Sequence, residues 1–197
     1  MPKVGVLALQ GDVREHQAAL RDVGCEPRLV RRADDLVGLE GLVIPGGEST
    51  TMARLLVTSG VRVPLSEAIE AGLSVFGTCA GLIMLAREVQ DGRADQWSFA
   101  VLDVSVRRNG YGRQIASFET TVDVHGVGRV PGVFIRAPRI LSIGPGVEVL
   151  AEHDHGDGPA PVLVREGRHW GCSFHPELTP NRSLHRAFVA SLSEVLR

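Results

Sequence analysis

Lys3 is the only lysine among 21 cationic residues, and 23 acidic residues bring the formal net charge to −2. No block of five or six like charges occurs. A mainly electrostatic partner, duplex nucleic acid or an anionic membrane surface, is therefore not expected, and the arginine excess is a bias of composition. Long apolar runs are also lacking. None approaches the roughly 18 residues needed to span a bilayer. Residues 1–12 carry no charged stretch followed by a long apolar core and a cleavage site, so no secretory leader is expected. Cysteine is sparse and odd in number: Cys25, Cys79 and Cys172 include no CxxC pair. That argues against a disulfide framework or a zinc knuckle and points to a reducing cytoplasm. Repeats, linkers and low-complexity tracts are missing too. What remains, 197 residues at 44% hydrophobic and 22% charged, has the balance of one globular domain spanning 1–197.

The first half alternates short apolar runs with helical stretches. Residues 3–9, 28–30, 42–44 and 74–77 read as buried strands. Residues 13–23, a segment from Ser49 or Thr50 to Ser59, a segment after Pro64, and 80–86 read as helices. Strand–helix alternation with near-continuous apolar strands implies a parallel sheet covered by helices on both faces. After about residue 100 the pattern changes to short runs split by Gly, Pro and Asp (101–107, 118–124, 147–152, 161–164, 169–174), which read as added antiparallel strands and hairpins. An amphipathic helix over 181–196 closes the chain.

Three segments carry chemistry. Gly77-Thr78-Cys79-Ala80-Gly81 lies between a strand and a helix, and its small residues suit the sharp turn of a nucleophile elbow with Cys in the nucleophile position. The start of the following helix favours a thiolate. A buried structural cysteine in a tight turn is the alternative. His175-Pro176-Glu177 follows a strand; Pro176 holds His175 extended, so that His175 and Glu177 fall on one side, one able to act as base and the other to orient it. A solvated His beside a capping Glu is the plain alternative. Cys79, His175 and Glu177 together, 96 residues of sequence separating thiol from imidazole, fit the logic of a Cys-His-acid triad. Pro45-Gly46-Gly47-Glu48-Ser49-Thr50 places two glycines after a strand, where backbone can approach a ligand and aim an N–H at it. No GK[ST] follows, so it is not a P-loop. The polar run His153-Asp154-His155-Gly156-Asp157 has no element fixing its ligand spacing and reads as a solvated turn, not a metal site. His125, His169 and His185 read as scattered surface residues, and Cys25 and Cys172 as small buried side chains.

Taken together, these segments resemble class I glutamine amidotransferases. The residues that carry the resemblance are 5–11, Arg14-Glu15-His16, 45–52, 76–82, Arg108-Asn109, Tyr111-Gly112-Arg113-Gln114, 132–138 and 171–178, which span nearly the whole chain. The resemblance implies a flavodoxin-like three-layer sandwich, a mostly parallel central sheet with added antiparallel strands. It implies glutaminase chemistry: Cys79 attacks the side-chain amide of L-glutamine, His175 serves as base and then acid, Glu177 orients it, and the N–H groups of Gly47 and Ala80 hold the oxyanion. Glutamine would be recognised by Gly46, Gly47, Glu48, Ser49, Arg108, Ile135 and Arg136. Which arginine takes the carboxylate stays open. One branch of the family, to which the resemblance is closer still, implies a partner, a (β/α)8-barrel subunit that receives the ammonia and makes pyridoxal 5'-phosphate, docked at Gln10, Gly11, Arg14, Glu15 and His16. No cofactor is expected on this chain, since Lys3 alone could form a Schiff base.

Overall fold

β-Branched strands followed by amphipathic helices build the first half of the chain. The computed structural model describes residues 2–92, 96–110, 117–156 and 158–194. In it β1 (Val4–Leu7), α1 (Val13–Asp22), β2 (Arg28–Val30), β3 (Gly41–Ile44), α2 (Ser49–Thr58), α3 (Arg62–Glu70), β4 (Ser74–Thr78) and the short α4 (Ala80–Leu85) follow in turn. Then come β5 (Ala86–Gln90), β6 (Leu102–Arg107), β7 (Ser117–Val124), β8 (Gly128–Ile135), β9 (Arg139–Ile143), β10 (Glu148–Asp154), β11 (Pro159–Glu166), β12 (His169–Cys172) and α5 (Ser183–Glu194). The motif residues Tyr111, Gly112, Arg113 and Gln114 lie outside the described residues, as does Asp157.

The central sheet has seven strands in the order β10-β11-β12-β4-β3-β1-β2. From β12 to β2 all pairings are parallel, while β11 pairs antiparallel with both β12 and β10. The parallel part is the doubly wound order 2-1-3-4-5 of flavodoxin-like folds, with β12 as its fifth strand. Side chains alternate across the sheet. Leu42, Ile44 and Val75 join Met52, Leu56, Leu65 and Leu82 from α2, α3 and α4 on one face. Val43 and Phe76 join Leu20 of α1 and Leu184, Phe188 and Leu192 of α5 on the other. Each face thereby buries its own apolar layer, giving the three-layer arrangement.

Several elements differ from the sequence reading. β5, β8 and β9 were not expected as strands. β5 pairs parallel with β6, which pairs antiparallel with β9 in a separate three-stranded sheet, and β7 and β8 form an isolated hairpin. The helix cap at residue 48 also differs: Glu48, not Ser49 or Thr50, caps α2, accepting the N–H groups of Thr50 and Thr51 at 3.1 and 2.7 Å. α3 starts two residues before Pro64, because a first-turn proline lacks only an N–H that the helix leaves unpaired.

Candidate active site

Every segment singled out for chemistry leaves the sheet at the carboxyl end of a parallel strand. Residues 10–12 follow β1, 45–49 follow β3, Cys79 follows β4, and His175 follows β12. Ligands of open α/β sheets bind at this edge. Cys79 sits between β4 and α4 with φ 49° and ψ −104°, a left-handed backbone that costs a non-glycine residue on the order of 1–3 kcal/mol. Two contacts hold it there: its N–H donates to the carbonyl of Cys172 on β12 at 2.8 Å, and its carbonyl accepts from Ile83 at 3.3 Å. The elbow admits no larger residues. A Cβ on Gly77 would lie 2.5 Å from the Gly81 backbone, and one on Gly81 would lie 2.1 Å from the Ile44 carbonyl.

The parallel pairing of β12 with β4 carries residue 175 to the elbow. His175 Nδ1 lies 2.8 Å from Glu177 Oε1, and His175 and Cys79 line the same cavity. With Nδ1 engaged by the carboxylate, Nε2 is the edge left for the thiol. Burial works to lower the His175 pKa, but hydrogen bonds with Asp12, Cys79 and Glu177 override it and push it up to about 12. Burial works to raise the Glu177 carboxyl, yet the charge and hydrogen bond of His16, together with those of His175, hold it well below the usual range. Asp12, at the start of α1, places Oδ2 3.2 Å from His175 Nδ1. Gly46 has no Cβ at the point where one would meet His175 at 2.4 Å and Asp12 at 2.9 Å.

These groups border a cavity of about 400 Å³. Of the residues expected to bind substrate, Gly47, Glu48, Ser49, Arg108, Ile135 and Arg136 line it, and Gly46 stands behind it against His175. Asp12, Ile83, Asn109 and Leu178 line it as well. The Ser49 hydroxyl is buried there with no hydrogen-bond partner among the described residues. Glu48 and Arg108 are joined to each other at 2.9 Å, and Arg108 also donates to Thr50 Oγ1 at 3.1 Å. The Glu48 carboxyl is pulled down to about 2: burial opposes this, and the Thr51 and Thr50 donors outweigh it. Arg136, at φ 43°, makes no ion pair among the described residues.

Two assignments need correction. His16, expected at a docking surface, is fully buried, with Nε2 3.1 Å from Thr78 Oγ1 and 3.5 Å from Glu177 Oε1. Its helix position, three and four residues from the buried Ala19 and Leu20, turns it inward. His185, expected at the surface, is also fully buried, 3.0 Å from His16 Nδ1 and edge-on to Phe76. Gln10 is part of the cavity wall, accepting the Glu48 N–H at 3.0 Å. Arg14 and Glu15 are exposed. In the 153–156 turn, Asp154 accepts the N–H groups of Gly156 and Gly158, closing the turn on itself. Among the described residues no helix is long and apolar enough to cross a membrane.

Residues 6–194 match the SNO glutamine amidotransferase family. The chain is 54% identical over 190 residues to the pyridoxal 5'-phosphate synthase subunit PdxT of Frankia alni, covering 95% of this chain and 94% of that one. It is 51% identical over 196 residues to the protein of the same name from Mycolicibacterium vanbaalenii, covering 98% of each. A crystal structure of a glutamine amidotransferase superposes with a TM-score of 0.89 at 48% identity, over 96% of this chain and 98% of that one. A chain in the structure of PurLQS from Thermotoga maritima shares the fold at a TM-score of 0.71 and 18% identity, over 100% and 99% of the two chains.

Proposed function

The chain belongs to the SNO glutamine amidotransferase family, and from that premise we propose that Cys79, His175 and Glu177 are the triad with which it works. It is a glutaminase: it hydrolyses L-glutamine to L-glutamate and ammonia for pyridoxal 5'-phosphate synthesis, alongside a synthase subunit. The observation that carries the residue assignment is the His175 ring, which lines one cavity with Cys79 and is held through Nδ1 by Glu177.

The Cys79 thiolate adds to the amide carbon of glutamine, and the N–H groups of Gly47 and Ala80 receive the oxyanion. Collapse of this adduct breaks the C–N bond while the His175 imidazolium gives its proton to the leaving nitrogen, releasing ammonia and a γ-glutamyl thioester. Water then adds to the thioester with His175 as base, and glutamate leaves as the thiol is restored. Glu177 keeps the ring in one orientation and stabilises its charged form. Of the two cavity arginines, Arg108 is tied to Glu48 and Thr50, so Arg136 is the carboxylate ligand. Gly46, Gly47, Glu48, Ser49 and Ile135 shape the rest of the amino-acid site, and the unpaired Ser49 hydroxyl supports this. The partner is a (β/α)8-barrel subunit in a large hetero-oligomer. Gln10, Gly11, Arg14 and Glu15, beside the cavity or exposed on α1, form this chain's side of the contact. Three unpaired cysteines fit a cytoplasmic setting.

The test is to incubate the chain with glutamine, alone and with the synthase subunit, and to measure glutamate and ammonia. The expected result is turnover, raised by the partner and lost in Cys79→Ala. Lack of turnover in every mixture would leave only a docking role.

A further inference from the structure

Two side chains reach the triad from the start of α1, Asp12 from the cavity wall and His16 from the core, and nothing in the reaction above uses them. Asp12 caps the start of α1, yet its carboxylate makes no cap hydrogen bond. It turns instead to His175 Nδ1 at 3.2 Å, the nitrogen that Glu177 holds at 2.8 Å. The backbone fixes this aim. Asp12 N–H donates to the Gly46 carbonyl at 3.2 Å, and the missing Cβ of Gly46 leaves the space in which carboxylate and imidazole meet. One turn later on the same helix, His16 lies fully buried behind Glu177, 3.5 Å from Oε1. Its other nitrogen faces His185 Nε2 at 3.0 Å, and the opposite nitrogen of His185 is buried with no partner among the described residues. His16 Nε2 is directed at Thr78 Oγ1 and Glu177 Oε1.

We propose that Asp12 and His16 are positioning residues of the glutaminase reaction, α1 holding the imidazole by one and its carboxylate partner by the other. The inference rests on the triad assignment. Asp12 favours the charged ring that must protonate the leaving ammonia, and His16 fixes Glu177, whose second oxygen has no partner among the described residues. The other groups facing this assembly are Cys79 on the elbow, Cys172 on β12, and Glu48, Arg108 and Arg136 across the cavity. Removing the Asp12 charge therefore shifts proton loss from His175 toward lower pH.

The experiment follows His175 by NMR in the isotopically labelled full chain and, in parallel, the pH profile of glutamine kcat/KM with the synthase subunit present. In Asp12→Asn the His175 titration and the alkaline edge of the profile are expected to fall together by about one unit. KM should stay within about twofold, and Asp12→Glu should restore most of the shift. His16→Gln is expected to lower kcat about tenfold at nearly unchanged KM, with the Cys79 alkylation rate falling in parallel. An Asp12→Asn protein whose His175 titration matches the parent overturns the role of Asp12. A His16→Gln protein with parental kcat overturns that of His16. A parent that turns over no glutamine but whose His175 still responds to Asp12→Asn would fault the substrate assignment and support the positioning.

Discussion

At the scale of single residues, three free thiols occupy three different environments. Cys172 is fully buried and donates to the Phe174 carbonyl at 3.3 Å, and burial pushes its thiol well up. Burial raises Cys25 as well. Cys79 alone borders the cavity, which it shares with the His175 imidazole. Since the thiolate is the reacting species, iodoacetamide at neutral pH should modify one cysteine in the folded protein. Peptide mapping should place the label on Cys79, and comparable labelling of Cys172 would contradict the environments described. Arg136 gives a second prediction at this scale. Replacing Arg136 by Gln removes the guanidinium not already bound by a carboxylate and should raise the KM for glutamine at least tenfold with kcat changed far less, a charge-assisted hydrogen bond being worth about 1.5–3 kcal/mol. The corresponding Arg108→Gln change should act through the Glu48 pair and move both constants.

At the scale of elements, the elbow was legible because the physics is local. A nucleophile on a strained turn needs small neighbours, and Gly77 and Gly81 bracket Cys79 in sequence as they do in space. The test is Gly81→Ala. Its Cβ would fall 2.1 Å from the Ile44 carbonyl, a backbone atom that cannot rotate away. The expected loss is at least about 2–3 kcal/mol of unfolding free energy, read from the urea midpoint at constant slope. A neutral result would mean that β3 and α4 are less closely packed than described. The helices and parallel strands of the first half were legible for the same reason, since each carries its own apolar periodicity. β5, β8 and β9 were not. β5 has only Ala86 fully buried, and β8 is broken by Pro131 and Gly132, so neither shows a sustained alternation. In α1 the helix buries His16 and exposes Ala18. A buried histidine is tolerable only with polar partners, and those come from Thr78, Glu177 and His185, 62 to 169 residues away.

At the scale of the whole molecule, the site is the product of a closure that no local pattern announces. Cys79 and His175 meet because β12, near the end of the chain, enters the sheet parallel to β4, with Cys172 opposite Thr78. That closure gathers several titrating groups whose pKa values shift in opposite directions, and folding stability must follow them. Burial and then the charge of His16 lower His185 to about 3, and burial and then the Arg168 charge lower His169 to about 4. A histidine depressed on folding takes up its proton sooner when unfolded, so its contribution is whole above about pH 6.5 and declines as the pH falls toward the folded value. Glu177 and Glu48, both lowered, add to the acid loss from about pH 4.5 downward. His175 is raised to about 12, so its contribution is whole below about pH 6.5 and is lost as the pH climbs toward 12. The urea midpoint should therefore peak between about pH 6 and 7 and fall on both sides. The two limbs separate by substitution. His175→Gln should flatten the alkaline side and reduce the acid side only by the share that His175 contributes to lowering Glu177, whereas His185→Leu should soften the acid side alone. A stability that keeps rising from pH 7 to 9 in the parent would mean that the imidazole is not held charged by Asp12 and Glu177, and the positioning argued for α1 would fail with it.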